Sequence, residues 1–551
     1  MSPVDSVEAL RDAVRAAVAR TGGRLTQEPT LERPPKSELG DYSTNAAMLL
    51  AGSLGEPPRS VAKRLSSELE SGLAGVERVE VAGPGFVNLF LGDAWHRESI
   101  AGVLSEPAFG RRGKRDPAVL LEFVSANPTG PMTVASGRGA AYGDSLARIL
   151  EAAGHEVSRE YYLNDAGTQI RNFAASIAAR MRDEEPPEDG YAGSYVADLA
   201  AELAGDGVAP DDLDALERRG PEAMRSRIQA SLERFGVHFD TWSSERALIE
   251  RGALEDTLTE LREGGHAYES EGALWLRTSE HGDDKDRVLV RSGGEPTYFA
   301  TDIAYHRDKM QRGAAQMIVP LGADHHGYVP RMKAAFACLG AEPDRYEAPV
   351  MQLVNIVEAG ERARMSKRQG EFVTLDELVD DIGADAARFF LAQRSPDTTL
   401  DLDLELARSR SQENPVYYVQ YAHARIASIL RKAEREAGVA GADAIAAGAA
   451  SELAFATRCE ASERALIRRL LEFPGEVVTA AERRTPHRLV AYSQAAAADF
   501  HAFYRDCRVV GADEEAGVEG LQAARLGVCL ATKRVVARSL DLLGIGAPEE
   551  M

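Results

Sequence analysis

The segment from residue 118 to 163 restricts the possible folds of this chain more than any other. It begins with AVLLEFV, an apolar run interrupted only by Glu122, which is typical of a strand buried on both faces of a parallel sheet. A glycine-containing turn follows, then helical spacing over residues 137–153, and then the strand-like run VSREYYL at 157–163. Strand, turn, helix and strand in this order predict a βαβ unit.

Three regions with different patterns make up the chain. Residues 1–112 mix helical and strand-like segments, and we predict a small α+β domain there. Residues 113–395 hold the βαβ unit and further strand-like runs, PTYFATD at 296–302 among them, with a helical insertion at about 183–240. Over residues 396–551 the strand signals disappear and the spacing is helical, which predicts an all-α domain. We therefore predict a multidomain α/β protein with a Rossmann-like, doubly wound central domain.

The net charge and the cysteine content argue against several classes of protein, namely typical nucleic-acid binders, disulfide-rich proteins and zinc proteins. The net charge is −23 at pH 7, the wrong overall sign for a typical nucleic-acid binder, although phosphates also respond to local basic patches. The four cysteines form no CxxC pair, so we expect neither a disulfide framework nor a zinc site. No apolar run is long enough to span a membrane, and we expect a cytoplasmic protein without a membrane partner.

The turn SANPTGPMTVASGRGA, residues 125–140, lies where an open parallel sheet binds its ligands, beyond the carboxyl end of a strand. Its helix begins near Ser136 and Gly137, and free N–H groups at a helix N-terminus attract anions. The P-loop pattern is absent, and Gly137, Gly139 and Gly143 are spaced one residue too long for the dinucleotide fingerprint. From these residues alone, a nucleotide site and simple close packing both stay open.

A second segment, ERARMSKRQGEFVTLDEL at residues 361–378, places three cations close together. A mobile basic loop of this kind can hold the negative charge of a triphosphate while pyrophosphate leaves. A solvated basic loop without function is the alternative. Thr374 and Glu377 have the spacing of a capping box and predict the start of a helix. The three cations are Arg364, Lys367 and Arg368.

Taken together, these segments resemble the class I aminoacyl-tRNA synthetases, and specifically the arginyl-tRNA synthetases. RMSKR is similar to the KMSKS signature of that class, and SANPTGPMTVAS stands where the family has ANPTG followed by a His-x-Gly-His element. The resemblance continues in order through REYYLNDAGTQI, PTYFATDIAYH, LGADHHGYVPRMKAA and FHAFYRDCRV. It implies that L-arginine is activated with ATP to arginyl-adenylate and transferred to the 3′ end of tRNA(Arg), with Mg²⁺ accompanying ATP. A monomer is the family expectation.

The resemblance implies an arginine site built on acidic residues, because a guanidinium pairs well with planar carboxylates. Glu122 is a carboxylate in an apolar strand, and a buried carboxylate calls for a cation. By resemblance it meets the α-amino group of arginine, with Asn127 at the α-amino or carboxylate end. Tyr298 and Asp302, four residues apart, match the positions that recognise the guanidinium. A helix cap is the alternative role for Asp302.

The resemblance also implies an ATP site between the turn at 125–140 and the basic loop. Asp324 and His326 follow a buried strand and border this site, and two adjacent histidines without a third ligand are a poor metal site. We predict no dedicated metal site. The residues assigned to ATP are Asn127, Pro128, Gly130, Gly137, Asp324, His326, Met365, Ser366 and Lys367. Those assigned to catalysis are Lys367, Ser136, Thr133 and Arg364.

Thr133 and Ser136 stand where the family has its two signature histidines. Hydroxyls also donate to phosphate oxygens, but they are weaker donors than an imidazolium, and one lost donor costs roughly 3 kcal/mol of transition-state stabilisation. We expect compensation from main-chain N–H groups at Ser136, from the basic loop and from Arg138. Two alternatives stay open: a non-adenylating relative that binds tRNA or arginine, and a dinucleotide-dependent dehydrogenase, against which the glycine spacing argues.

We expect RNA contacts in both outer domains. Tyr418, Tyr421 and Arg425 lie on the first helix of the C-terminal domain, which resembles an anticodon-binding domain. Aromatic rings stack on unpaired bases and arginines hold phosphates, whereas a core aromatic stripe is the alternative for the tyrosines. In the N-terminal domain, Tyr42 and Asn45 of GDYSTNAA are the corresponding candidates.

Overall fold

The N-terminal part of the molecule is a four-stranded antiparallel sheet with helices packed on it. The computed structural model describes residues 5–25, 27–323, 327–358, 361–362 and 373–551. The first elements are α1 (Ser6–Thr21), β1 (Leu31–Glu32), β2 (Tyr42–Thr44), α2 (Ala46–Leu54), α3 (Pro58–Gly72), β3 (Val76–Ala82), β4 (Phe86–Leu91) and α4 (Asp93–Ser105). The strands lie in the order β1-β2-β4-β3. The predicted α+β arrangement of this part is confirmed.

A parallel sheet forms the centre of the molecule. The next elements are β5 (Arg115–Glu122), α5 (Val134–Ala152), β6 (His155–Leu163), α6 (Thr168–Met181), α7 (Ser194–Gly205), α8 (Leu213–Arg234), β7 (Thr241–Ser244), α9 (Glu245–Glu250), α10 (Ala253–Glu263), β8 (Ala267–Ser270), β9 (Ala273–Leu276), β10 (Arg287–Val290), α11 (Tyr298–Gln311), β11 (Gln316–Ile318), β12 (Leu321–Gly322), α12 (Tyr328–Cys338) and β13 (Tyr346–Glu347). The five parallel strands lie in the order β13-β11-β5-β6-β7. The predicted βαβ unit, β5–α5–β6, is confirmed.

The order of the parallel strands shows where a ligand crevice is expected. From β5 the chain adds β6 and β7 on one side, whereas β11 and β13 lie on the other side. The order therefore reverses between β5 and β11. In open parallel sheets of this kind, ligands bind at such a switch point, outside the carboxyl ends of the strands.

The last part of the chain is almost entirely helical. Its elements, with the strands that join it to the centre, are β14 (Val350–Met351), β15 (Val354–Glu358), β16 (Glu361–Arg362), α13 (Leu375–Ile382), α14 (Ala384–Ala392), β17 (Leu400–Asp403), α15 (Leu404–Arg408), α16 (Pro415–Ala437), α17 (Gly441–Ala449), α18 (Glu452–Phe455), α19 (Ala461–Arg483), α20 (His487–Asp506), α21 (Ala512–Ala516) and α22 (Leu521–Leu542). The helical spacing expected in this part is seen on α16, whose apolar face is buried at Val419, Ala422, Ile426 and Ile429. None of the helices in the described ranges has both the length and the apolar character needed to cross a membrane.

Two expectations about secondary structure are wrong. PTYFATD is not a strand, because Thr297 caps a helix: its hydroxyl accepts a hydrogen bond from Ala300 N, and α11 begins at Tyr298. Strands also do not end at residue 396. The short alternating run LDLD forms β17, with Leu400 and Leu402 buried, and it pairs in parallel with β15.

Candidate active site

The turn that leaves β5 has a strained backbone at the carboxyl edge of the sheet. Val124 and Ser125 have φ values of 70° and 43°, a region that a β-branched residue rarely adopts. Ser125 N donates to Phe123 O at 3.0 Å and closes a three-residue turn around Val124. The Ser125 hydroxyl donates to Glu122 Oε1 at 2.8 Å and accepts from Tyr162 N at 3.1 Å. These hydrogen bonds hold the chain in the strained conformation above the end of β5.

Glu122 has a buried cation as its partner. Lys309 of α11, which is fully buried, donates from Nζ to Glu122 Oε2 and lies 4.1 Å from the centre of the Tyr305 ring. Glu160 lies beside them and accepts hydrogen bonds from Tyr305 at 2.6 Å and from Arg312 at 2.8 and 2.9 Å. The cation that a buried carboxylate needs is therefore supplied by this chain, and contact of Glu122 with arginine stays a prediction.

Carboxylates follow all three neighbouring strands at this edge of the sheet. Glu122 ends β5, Asp165 follows β6, and Glu245 follows β7 directly. Burial and the charges of Asp302 and Asp165 raise the pKa of Glu245 to about 7. The hydroxyl of Tyr162, buried near the same carboxylates, has no hydrogen-bond partner among the described residues. This concentration of negative charge in a buried site suits a cationic ligand.

Tyr298 and Asp302 lie on the first turns of α11, as their spacing predicts. The Tyr298 side chain is 74% exposed, so its ring is free to contact a ligand. Asp302 accepts a hydrogen bond from the hydroxyl of Tyr328, the first residue of α12. Glu245 was not found by sequence analysis, because the four-residue strand β7 that positions it gave no recognised signal. Tyr162 and Asp165 belong to the predicted strand VSREYYL and the residues after it, and they were not singled out there.

The raised pKa of Glu245 gives a testable pH dependence. The folded protein binds this proton more tightly than the unfolded chain, whose glutamates titrate near 4.5. The stability that the protonated form contributes is therefore full below pH 4.5 and is lost as the pH rises through about 7. We expect Glu245→Gln to stabilise the protein above pH 7, by an amount on the order of 1–2 kcal/mol, and to leave it little changed near pH 5. Urea unfolding at both pH values measures this; an equal effect at both would contradict the assignment.

Thr133 and Ser136 form the start of helix α5. The Thr133 hydroxyl accepts from Ser136 N at 3.2 Å and lies 3.2 Å from the Ser136 hydroxyl. The same turn is bonded to the start of α13, since Val134 N donates to Val373 O at 3.3 Å and Leu375 N donates to Met132 O at 2.8 Å. The helix N-terminus is therefore adjacent to Val373, the first described residue after the basic segment.

The capping box predicted for α13 is confirmed. The Thr374 hydroxyl accepts from Glu377 N at 3.1 Å, and Glu377 Oε2 accepts from Thr374 N at 2.7 Å. Arg364, Met365, Ser366 and Lys367 lie outside the described residues, as do Asp324 and His326. For the basic segment, the structure describes the flanking residues, among them Val373.

The remaining candidates of the turn have structural contacts of their own. Asn127 Oδ1 accepts from Asn164 at 2.8 Å, and its Nδ2 donates to Gln169 at 2.5 Å. Pro128 is buried, and a Cβ at Gly130 would lie 3.1 Å from the Tyr195 hydroxyl. The latter two residues therefore shape the turn.

Gly137 and Gly143 are needed for close packing. A Cβ at Gly137 would lie 2.8 Å from Leu375 Cδ1, and one at Gly143 would lie 2.2 Å from the ring of Phe123. Gly139 has no such neighbour, since its nearest atom would be Val124 Cα at 4.0 Å. The packing explanation therefore holds for the first two glycines, and an ATP contact at Gly137 stays a prediction.

The compensating role expected for Arg138 is wrong. Its side chain is only 2% exposed, and burial lowers its pKa. The guanidinium donates to four main-chain carbonyls, those of Gln352 (2.8 Å), Leu353 (3.3 Å), Ser395 (2.9 Å) and Thr398 (2.9 Å). Because these carbonyls occupy the donors of the guanidinium, Arg138 ties two loops to α5 instead of facing the helix N-terminus.

The RNA candidates of the C-terminal part form an aromatic and basic cluster. The Arg425 guanidinium lies 4.8 Å from the Tyr421 ring centre and 5.0 Å from that of Tyr504, and it donates to the Tyr421 hydroxyl at 2.8 Å. Tyr418 lies 4.8 Å from the His501 ring. Tyr504 is 40% exposed, so part of this cluster faces solvent.

The RNA-contact candidates of the N-terminal part, Tyr42 and Asn45, do not form an exposed aromatic cluster. Tyr42 is 2% exposed and packs edge-on against Trp95, so its ring offers no surface to an RNA base. The prediction of an RNA contact by this side chain is therefore wrong. Asn45 accepts a hydrogen bond from Thr30 N at 2.9 Å at the start of α2.

Family models match almost the whole chain. The arginyl-tRNA synthetase N-terminal domain matches residues 8–91, and the class I (R) tRNA synthetase catalytic domain matches residues 100–198 and 212–425. The DALR anticodon-binding domain matches residues 419–551.

Full-length relatives agree with these matches. An arginine–tRNA ligase from Frankia alni is 47% identical over 567 aligned positions, with all of both chains covered, and one from Shouchella clausii is 43% identical, with 99% of both covered. The structure of Thermus thermophilus arginyl-tRNA synthetase superimposes with a TM-score of 0.78 at 28% identity, covering 99% of this chain and 100% of that one. The chain described here, with its parallel-sheet crevice and its carboxylates at three strand ends, belongs to the arginyl-tRNA synthetase family.

Proposed function

We propose that this chain is itself an active arginine–tRNA ligase, although Thr133 and Ser136 replace the signature histidines. One observation carries the proposal: the carboxylates of Asp165, Glu245 and Asp302 lie close together at the carboxyl edge of the sheet, with Glu245 buried and the other two partly exposed. A cluster of carboxylates of this kind suits a cationic ligand such as the guanidinium of arginine. Full-length identity of 43–47% to arginine–tRNA ligases supports the same conclusion.

The arginine substrate fits this site with its guanidinium toward the carboxylates. Asp302 and Glu245 pair with the guanidinium, and the exposed Tyr298 ring covers it. Asn127 and Glu122 hold the α-amino and carboxylate end near the strained turn. This orientation points the carboxylate, which attacks the α-phosphorus of ATP, toward the N-terminus of α5.

The N-terminus of α5 receives the phosphates of ATP. The hydroxyls of Thr133 and Ser136 donate to phosphate oxygens, and the positive end of the α5 dipole attracts the same anion. Lys367 and Arg364 precede Val373, which is bonded to this turn, and they neutralise the charge that grows as pyrophosphate leaves. Mg²⁺ enters with ATP as part of the substrate and is held through the phosphates, without a dedicated protein cage.

Transfer to tRNA(Arg) uses the outer domains. The cluster of Tyr418, Tyr421 and Arg425 supplies stacking and a positive charge for unpaired anticodon bases. We propose domain limits at 1–112, 113–395 and 396–551, and a monomer that acts in the cytoplasm. Sedimentation of the purified chain tests the oligomeric state.

Arginine-dependent exchange of pyrophosphate into ATP tests the proposed function. With tRNA(Arg) present, the purified chain is expected to catalyse this exchange and to charge the tRNA with arginine, and to do neither with lysine. Exchange without charging would place the defect in transfer. Binding of arginine and tRNA with no exchange at all would show a non-adenylating relative and overturn the proposal.

A further inference from the structure

Two histidines and a cysteine converge where the short 3₁₀ helix that follows the β8–β9 hairpin packs against helix α12. One ligand atom each of His266, His281 and Cys338 lies within 4.8 Å of the other two. The three residues belong to different elements: His266 directly precedes β8, His281 ends a short 3₁₀ helix at Thr278–His281, and Cys338 is the last residue of α12. The cysteine motifs considered in the sequence could not show this group, because the fold and not the spacing brings it together.

The backbone around the three residues is held by hydrogen bonds. His266 O accepts from Arg277 N at 2.9 Å across the hairpin, and His266 N donates to Leu261 O at 2.9 Å. The Thr278 hydroxyl donates to Lys285 O at 2.7 Å and fixes the 3₁₀ helix. These hydrogen bonds fix the main chain beside the two histidines, whose ligand atoms already lie within 4.8 Å of each other and of that of Cys338.

The three candidate ligands differ in their exposure to solvent. Cys338 is 4% exposed, whereas His266 is half-buried and His281 is exposed. Neither imidazole has a hydrogen bond to another described residue that would have to be broken. Both carboxylate oxygens of the nearby Asp286 accept hydrogen bonds from Ser279 or Tyr268, so Asp286 is not a free ligand. A metal ion can enter from the solvent side, where water or the carboxylate of Glu280 completes the coordination.

We propose that His266, His281 and Cys338 bind a structural Zn²⁺ ion. Imidazole nitrogens and thiolates are both zinc ligands, with bonds of about 2.0–2.1 Å and about 2.3 Å, and a fourth ligand from water or Glu280 completes a tetrahedral site. On binding, the Cys338 S–H bond breaks, the Zn–S bond forms and the proton passes to solvent. The site clamps the hairpin to the C-terminal end of α12.

The clamp has a consequence for the candidate active site. Helix α12 begins at Tyr328, whose hydroxyl donates to Asp302. Zinc at Cys338 holds the far end of the same helix, about 15 Å away for eleven residues. The ion therefore positions a wall of the arginine site and takes no part in the reaction.

Titration of the chelator-treated, full-length chain with Co²⁺ tests the site. We expect one equivalent to bind with a thiolate-to-cobalt charge-transfer band, zinc to displace it, and zinc to raise the melting temperature. Cys338→Ser is expected to abolish the charge-transfer band, whereas Cys459→Ser keeps it. His281→Gln, an exposed change that leaves folding intact, is expected to weaken binding about 10-fold or more, and His238→Gln is the matched control.

Three results would overturn the proposal. One is cobalt binding without a thiolate band. Another is a charge-transfer band that survives Cys338→Ser or is lost in Cys459→Ser. The third is an affinity that His281→Gln leaves unchanged. If Cys338→Ser does not fold, the His281→Gln titration decides alone, because circular dichroism can verify its fold.

Discussion

Replacing Lys367 with alanine is expected to lower the rate of arginine-dependent ATP–pyrophosphate exchange by about 10²–10³-fold. Lys367 is six residues from Val373, and Val373 O accepts a hydrogen bond from Val134 N at the start of α5. Six extended residues span roughly 20 Å, so the ammonium group can reach the phosphates at that helix N-terminus. With no imidazole at Thr133 or Ser136, this cation carries more of the charge stabilisation than it would beside histidines.

The matched control is Lys114→Ala. Lys114 precedes β5 and therefore lies at the amino end of the strand, opposite the crevice, in a largely exposed ion pair with Glu156 at 3.5 Å. We expect exchange to be unaffected by that change. Ser136→His, which restores an imidazole, is expected to keep or raise the rate. Exchange that is unchanged in Lys367→Ala would show that hydroxyls and main-chain amides suffice, and the role assigned to the basic loop would be lost.

The fold could be predicted where hydrophobic periodicity was long. The buried run of β5 and the helical spacing after the turn defined the βαβ unit, and apolar spacing defined α16. Short elements gave no comparable signal. β7 and β17 are four residues each, and the start of α11 depends on one capping hydroxyl, that of Thr297.

The candidate site could be predicted only in part, because the sequence shows which element a residue belongs to but not which residues contact it. Glu122 could be recognised because it is a single acid in an apolar strand. The expectation that it pairs with a cation was correct, although the cation is a lysine of the chain itself. Lys309, which meets that need, is far away in sequence and joins Glu122 only through the fold. The prediction for Arg138 was wrong for the opposite reason. Its position on helix α5 was correct, but its guanidinium is turned toward main-chain carbonyls of two loops that are distant in the sequence. Periodicity assigns a residue to an element, whereas its partners depend on tertiary contacts.

Lys309→Met is expected to lower the free energy of unfolding by about 3–5 kcal/mol, the largest stability effect anticipated here. Lys309 is fully buried and Glu122 is 6% exposed, so removing the ammonium leaves a carboxylate without its cation in a poorly solvated site. Methionine fills a similar volume, so the loss reports the charge and not a cavity. Urea unfolding at pH 7 measures it.

Two further variants distinguish charge from packing. Adding Glu122→Gln to Lys309→Met removes the stranded charge while keeping an acceptor for the Ser125 hydroxyl, which donates to Glu122 at 2.8 Å. We expect the double variant to recover most of the lost stability. Lys333→Met, which breaks an exposed pair with Asp344 at 2.7 Å, is expected to cost at most about 1 kcal/mol. If the double variant is no more stable than Lys309→Met alone, packing of the lysine stem, and not its pairing with Glu122, stabilises this edge of the sheet.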